Sequence, residues 1–266
     1  MFSIYGNIFI LIYSIVMGVM LGAVMGSFLN CAAYRTAHGE NFIKGHSRCT
    51  SCGHDLVVKD LVPVFSYLFL RGKCRYCGSK VSVRYPLTEL IFAALTVGCI
   101  LRFDLTLLCL RNYVFICCLF YLTLTDLESR IIPNGALIIA AAVWAAYLPF
   151  SGMGWLDILW SVVAALVFGG GILLISVILD KILKRSSMGG GDIKLFAVCG
   201  LYFGLAGTLF AVIIACIVGL IFAVIFKRRT GEKKAAFPFG PSIAFSACLM
   251  LFVGQLFVEW YMGLLR

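Results

Sequence analysis

Charge is scarce in this chain. Only 13% of its 266 residues are Asp, Glu, Lys or Arg, where a soluble domain carries about 25%. Acidic residues are the scarcer sign, 12 against 22 Lys and Arg. Prolines number six, so long apolar runs proceed with few helix breakers. The amino end, Met1 to Asn7, has no Lys or Arg before its apolar run and so lacks the basic n-region of a secretory leader. The first helix is therefore expected to persist as a span with the short amino end outside. There is no low-complexity tract, internal repeat or soluble second domain. The scarcity of charge by itself argues against a water-soluble globular fold.

What is present is apolar surface: 62% of residues, with a mean hydropathy of +1.03. Several separate runs approach the ~20 residues needed to cross ~30 Å of hydrocarbon. The expected fold is all-α, a polytopic membrane helix bundle of about eight transmembrane helices. The expected spans are 7–31, 86–102, 107–125, 135–150, 157–180, 192–206, 207–226 and 238–262. Only Phe203 to Gly207 separates the sixth from the seventh, and this glycine-containing stretch can either turn tightly or lie within one bent helix.

A net charge of +10 in a soluble protein would suggest nucleic acid. Here it follows the rule that basic residues gather in cytoplasmic loops, so the bilayer is the expected partner and nucleic acid is not. Nineteen of the 22 Lys and Arg fall in four stretches, 32–85, 126–134, 181–194 and 227–237; only Arg102, Arg111 and Arg266 lie opposite. That split makes the four loops cytoplasmic and favours eight spans over seven. The domain reading is a first transmembrane helix at 1–31, a cytoplasmic four-cysteine loop domain at 32–85, and a seven-helix membrane domain at 86–266. In the first span Gly18, Gly22 and Gly26 recur every four residues, continuing to Asn30, a spacing that lets helices approach closely.

Twelve cysteines divide into two groups. Cys49, Cys52, Cys74 and Cys77 form two Cys-x-x-Cys-Gly knuckles in a single hydrophilic loop. Four thiolates saturate a tetrahedral Zn²⁺, so the expected metal is structural rather than catalytic. Disulfides are rare in the cytoplasm, which argues against oxidised pairs there. His46 and His54 flank the first knuckle as alternative ligands or plain surface residues. The other eight cysteines lie in or beside apolar runs and read as small packing residues.

Ionisable residues at membrane helices are costly and therefore informative. Asp126 ends the third span and Asp192 opens the sixth, after Gly189, Gly190 and Gly191. Two crossings separate them, so both belong to one end of the bundle. Paired carboxylates in a poorly hydrated site can share a proton, one activating water while the other polarises a carbonyl. The glycines leave no side chains in the way of a substrate backbone. The bland reading has Asp126 pairing with Arg130 and Asp192 capping its helix. Lys194 could act on Asp192 or hold an interface, and Glu128 is a rival for the first carboxylate.

These motifs resemble those of the type IV prepilin peptidases. Gly26-Ser-Phe-Leu-Asn30 with Tyr34-Arg35 is similar to the family's opening signature. The double knuckle, Arg71-Gly-Lys-Cys74, Arg84-Tyr-Pro-Leu-Thr-Glu89, Asp126 before Pro133-Asn134, Gly189-Gly-Gly-Asp-Ile-Lys194 and Phe237-Pro-Phe-Gly-Pro241 follow in order. The first knuckle lacks the common Pro after its first Cys, and Glu128 stands where many relatives have Asp. The resemblance implies an aspartic endopeptidase of the bacterial plasma membrane, with catalytic Asp126 and Asp192, cleaving the basic leader from prepilins or pseudopilins at the cytoplasmic face. It implies N-methylation of the new amino terminus from S-adenosylmethionine, with Gly72 and Lys73 in the segment associated with that activity. Rival classes are a peptidase without methyl transfer, a transporter using the aspartates as an ion relay, and a zinc-stapled scaffold without chemistry.

Overall fold

A computed structural model of the chain describes residues 4–41, 47–184, 188–230 and 238–264. Lys44, His46, Arg185, Lys233, Lys234, Phe237 and Arg266, all used in the sequence reading, lie outside the described residues. Eight α-helices follow in order: α1 (Ile8–Ala37), α2 (Phe65–Phe69), α3 (Arg84–Phe103), α4 (Leu107–Ser129), α5 (Asn134–Tyr147), α6 (Trp155–Leu183), α7 (Gly190–Thr230) and α8 (Gly240–Leu264). Among the described residues the only β-structure is two isolated bridges, Arg48 with Asp55 and Lys73 with Lys80. Among the described residues six helices are long and apolar enough to cross a membrane, and the helical stretch Asn134–Phe150 is shorter. The chain divides into two compact units, Met1–Tyr113 and Val114–Arg266.

In the first unit the Gly18-Gly22-Gly26 stripe faces α3. A Cβ on Gly22 would stand 2.6 Å from the Ala93 Cα, and one on Gly26 would stand 3.1 Å from the Glu89 Cα. Ser14 and Asn30 continue the buried stripe at the same spacing. Lipid supplies no hydrophobic drive between helices, so the dispersion contacts of touching backbones hold this pair together.

The second unit settles the doubtful sixth and seventh spans. Helix α7 is interrupted at Gly204, whose backbone is non-helical (φ 65°, ψ −168°). Phe196 lies tilted against Phe239 with ring centroids 6.4 Å apart, and a Cβ on Gly219 would stand 2.6 Å from that same Phe239 ring. In one straight helix residues 196 and 219 would lie about 35 Å apart. The Thr208 hydroxyl also reaches back to the Cys199 carbonyl at 3.3 Å. The chain therefore reverses at Gly204, and α7 is a hairpin of two arms, as separate sixth and seventh spans require.

The first arm packs along α6, where a Cβ on Gly200 would stand 2.5 Å from the Ala165 backbone nitrogen. It runs parallel to α5, tied by Lys194 Nζ donating to Asn134 Oδ1 at 2.9 Å and by the Tyr202 hydroxyl donating to the Ala140 carbonyl at 2.8 Å. The core of this unit is Phe115, Leu119, Leu122, Leu195, Phe196 and Ile243 with their neighbours, and Phe115 stacks on Tyr202 at 3.8 Å.

Gly22→Val should force α1 off α3. Overpacking of this kind costs about 1–3 kcal/mol, and detergent-solubilised protein should melt several degrees lower while its helical circular dichroism is kept.

Candidate active site

Asp126 sits in the last turn of α4 and is 5% exposed. The helix ends because Arg130 adopts a left-handed conformation (φ 57°), its N–H still donating to the Asp126 carbonyl at 2.9 Å. The Asp126 carboxylate accepts the Gly240 N–H at 2.9 Å, at the first residue of α8. Among the described residues no ion pair joins it to Arg130. Gly240 is needed for contact as much as for its N–H: a Cβ there would stand 2.7 Å from Asp126 Oδ2.

Asp192 lies in the first turn of α7, its N–H donating to the Gly189 carbonyl at 3.1 Å. Its Oδ1 is buried with no hydrogen-bond partner. It shares an open cleft of about 400 Å³ with Ile172, Ile175, Ser176, Leu179, Met188, Gly189 and Phe239. Phe239 precedes Gly240, so adjacent residues of one turn touch Asp192's cleft and Asp126's carboxylate.

The three glycines differ in what they do. Gly190 opens onto free space, and Gly189 borders only Asp192 Oδ2, at 3.0 Å from where its Cβ would be. Gly191 is a packing glycine, since a Cβ there would stand 2.6 Å from the Ile132 Cβ. Lys194 points to Asn134, as described. Glu128 is half-buried and lies roughly 200° around α4 from Asp126. Sequence reasoning missed the Gly240 N–H, whose only signal was the Pro-Phe-Gly-Pro stretch.

The four cysteines form a second centre, in the first unit. Their ligand atoms all lie within 4.8 Å of one another, and Cys49 and Cys77 are 3.9 Å apart. Thiolates at ~2.3 Å around a tetrahedral Zn²⁺ would be about 3.8 Å apart, so this donor set fits that metal. The knuckles repeat one geometry. Gly53 N–H donates to the Cys49 carbonyl at 2.9 Å and Gly78 N–H to the Cys74 carbonyl at 3.0 Å. Both glycines are left-handed, with φ near 71° and 72°. The Cys52 and Ser51 backbone N–H groups draw the Cys49 thiol down to about 6, toward the thiolate a metal needs. For Cys52 the His54 N–H pulls the same way, but burial and the Cys49 and Cys77 sulfurs prevail and push it up to about 11.

Asp60 fastens the loop. Its side chain is 3% exposed, it pairs with Arg75 at 2.7 Å, and it accepts the Tyr76 hydroxyl at 3.1 Å. Burial works against its ionisation, but the bonds from Arg75 and Tyr76 outweigh that and hold it below the usual carboxylate range. Glu89 is buried on α3 and accepts the Val64 N–H at 2.7 Å, where Val64 turns left-handed (φ 62°) into α2. Gly72 is buried and left-handed (φ 68°), and a Cβ there would stand 2.9 Å from the Tyr67 hydroxyl. Lys73 is exposed. These two residues alone do not make a cradle for a methyl donor, because Tyr67 fills the space at Gly72 and the ammonium of Lys73 would repel a sulfonium.

A buried Asp126 and a half-buried Asp192, at helix ends that share the Phe239–Gly240 turn beside an apolar cleft, are the arrangement expected of an intramembrane aspartic protease. The chain belongs to the Type IV leader peptidase family: it matches that family over residues 113–224 and the bacterial peptidase A24 N-terminal domain over residues 20–103. It is 33% identical over 258 residues to the prepilin leader peptidase/N-methyltransferase of Bacillus subtilis (strain 168), covering 91% of this chain and 95% of that one. With the protein of the same name from Dichelobacter nodosus it shares 30% over 271 residues, 90% and 92% of the two chains. With that of Neisseria gonorrhoeae it shares 24% over 262 residues, 90% of each. No solved structure matches the chain.

Gly240→Ala should push the Asp126 carboxylate aside while leaving the helices intact. Displacements of this size at a reacting group cost about 100-fold, so peptidase turnover should fall by tenfold or more with an unchanged melting curve. Asp60→Ala should leave about one zinc per chain by metal analysis yet speed its loss to a chelator severalfold, whereas Cys77→Ser should bring zinc to background.

Proposed function

We propose that the chain is an integral-membrane aspartic endopeptidase that removes the basic leader from type IV prepilins or pseudopilins and then N-methylates the new amino terminus from S-adenosylmethionine. The observation that carries the reading is the convergence of Asp126 and Asp192 on the Phe239–Gly240 turn. In this mechanism one carboxylate takes a proton from water as the water attacks the scissile carbonyl, and the protonated partner donates to the carbonyl oxygen. Collapse of the tetrahedral adduct breaks the C–N bond and returns a proton to the leaving amine. Gly189 and Gly190 leave the approach to Asp192 open for a substrate backbone. The apolar wall of Ile172, Ile175 and Leu179 suits the apolar helix of such a substrate while it remains in the bilayer.

The names of the relatives support methyl transfer. Gly72 and Lys73 are candidate participants, with Tyr67 and further residues completing any donor site. The four cysteines would hold a structural Zn²⁺ that folds the loop. Lys194 and Gly191 position Asp192 through Asn134 and Ile132. The Lys and Arg distribution supports a bacterial plasma-membrane protein with its active site on the cytoplasmic side and its amino end outside. Aspartates at helix ends, rather than mid-membrane, disfavour an ion relay.

The test is reconstitution of purified protein with a prepilin bearing its leader. Asp126→Ala and Asp192→Ala should each abolish cleavage while keeping the wild-type melting curve; normal cleavage by both variants would sink the protease reading. With S-adenosylmethionine present, the mature product should gain the mass of one methyl group, and a product that never does removes methylation alone.

A further inference from the structure

Cys99 and Cys109 are two of the cysteines that the sequence marks only as packing residues. Cys99 lies four residues before the end of α3, and Cys109 sits in the first turn of α4, across the short connection 104–106. Their sulfurs are 3.8 Å apart. The Cys99 thiol also points at the Cys109 carbonyl and the Cys109 thiol at the Cys99 carbonyl, each at 3.6 Å. A sulfur that touches both its partner's sulfur and its partner's own carbonyl is aimed at that backbone, so the two Cβ vectors converge. Convergent vectors are one geometric condition for a disulfide, and the sulfurs must close from 3.8 Å to a bond of ~2.05 Å.

The connection itself is pre-set. Thr106 Oγ1 donates to the Phe103 carbonyl at 2.8 Å and accepts the Cys109 N–H at 3.2 Å. Asp104 accepts the Leu105 N–H at 2.7 Å and the Ile4 N–H at 3.2 Å. Both cysteines are buried, at 0% and 7% exposure. Only the first turn of α4 must fray to admit an oxidant, and a bond formed there is afterwards shielded from reductants.

We propose that Cys99 and Cys109 are a reversible disulfide site that staples the outer end of the α3–α4 hairpin. The outward direction rests on the orientation proposed above, in which Arg102 and Arg111 flank an outside connection. The oxidant is a disulfide-bearing thiol oxidoreductase of the outer compartment. One protein thiolate attacks the donor's S–S bond and expels one donor thiolate, forming a mixed disulfide. The second protein thiolate then attacks the protein sulfur of that bond and expels the other donor thiolate. Two protein thiols are oxidised, one donor disulfide is reduced, and the two protons released end on the donor thiols.

Cells carrying the full chain are quenched with acid and N-ethylmaleimide, and the protein is digested without reductant for mass spectrometry. The expected result is a Cys99–Cys109 linked peptide that disappears after dithiothreitol, with two fewer alkylated sites than the twelve cysteines of the chain. Reduction should lower the melting temperature of the wild type by a few degrees and leave Cys99→Ser unmoved. Recovery of both cysteines as separate alkylated peptides from quenched cells overturns the proposal. A membrane-impermeant maleimide added to intact cells tests the orientation independently, with Leu105→Cys in a Cys99→Ser, Cys109→Ser background. Labelling supports the outward reading; failure to label overturns the compartment and leaves the linked peptide to decide the bond.

Discussion

Helices in lipid cannot be held together by the hydrophobic effect, because their neighbours and the lipid tails are equally apolar; close backbone contact must replace it. This chain meets that constraint with missing side chains. Gly22 against Ala93, Gly200 against Ala165, Gly219 against Phe239 and Gly240 against Asp126 are all positions where a Cβ would stand less than 3 Å from a neighbour. The last of these is the most consequential. The same absence that lets α8 start beside α4 gives Asp126 a backbone donor, so packing and chemistry share one contact.

The second constraint is the satisfaction of polar groups away from water. Asp126 receives the Gly240 N–H, while Asp192 keeps one buried oxygen unpartnered beside an open cleft. An unpartnered buried oxygen costs stability in a resting scaffold. Next to a second carboxylate and an apolar cleft, it is what a site awaiting water and a peptide carbonyl requires. In the cysteine loop the same logic runs through Asp60 and Glu89, each buried and each tying a turn to a neighbouring segment. That loop is too short to form a core of its own, so fixed hydrogen bonds substitute for one, and its four cysteines are placed where a metal could add to them.

Much of this was legible in the order of residues. Hydropathy marks the spans and the Cys-x-x-Cys-Gly spacing marks the knuckles, because each depends on neighbours within a turn or two. Asp126 and Asp192 were identifiable because a carboxylate at a membrane helix is rare. The glycines before Asp192 were legible only as a group, and only contact with Ile132 separates the packing role of Gly191 from the open approach at Gly190. Cys99 and Cys109 carried no signal, since a cysteine in an apolar run looks the same whether its sulfur faces a methyl group or another sulfur.

The sequence by itself determined that this is an all-helical membrane chain with a four-thiolate loop and two carboxylates at one end, since local hydropathy, charge and spacing dictate those. Only the tertiary structure decided that α7 reverses at Gly204, that Gly240 faces Asp126 and that Cys99 meets Cys109. A reversal or a contact depends on which surfaces can approach, and that is set by pairs of residues far apart in the chain.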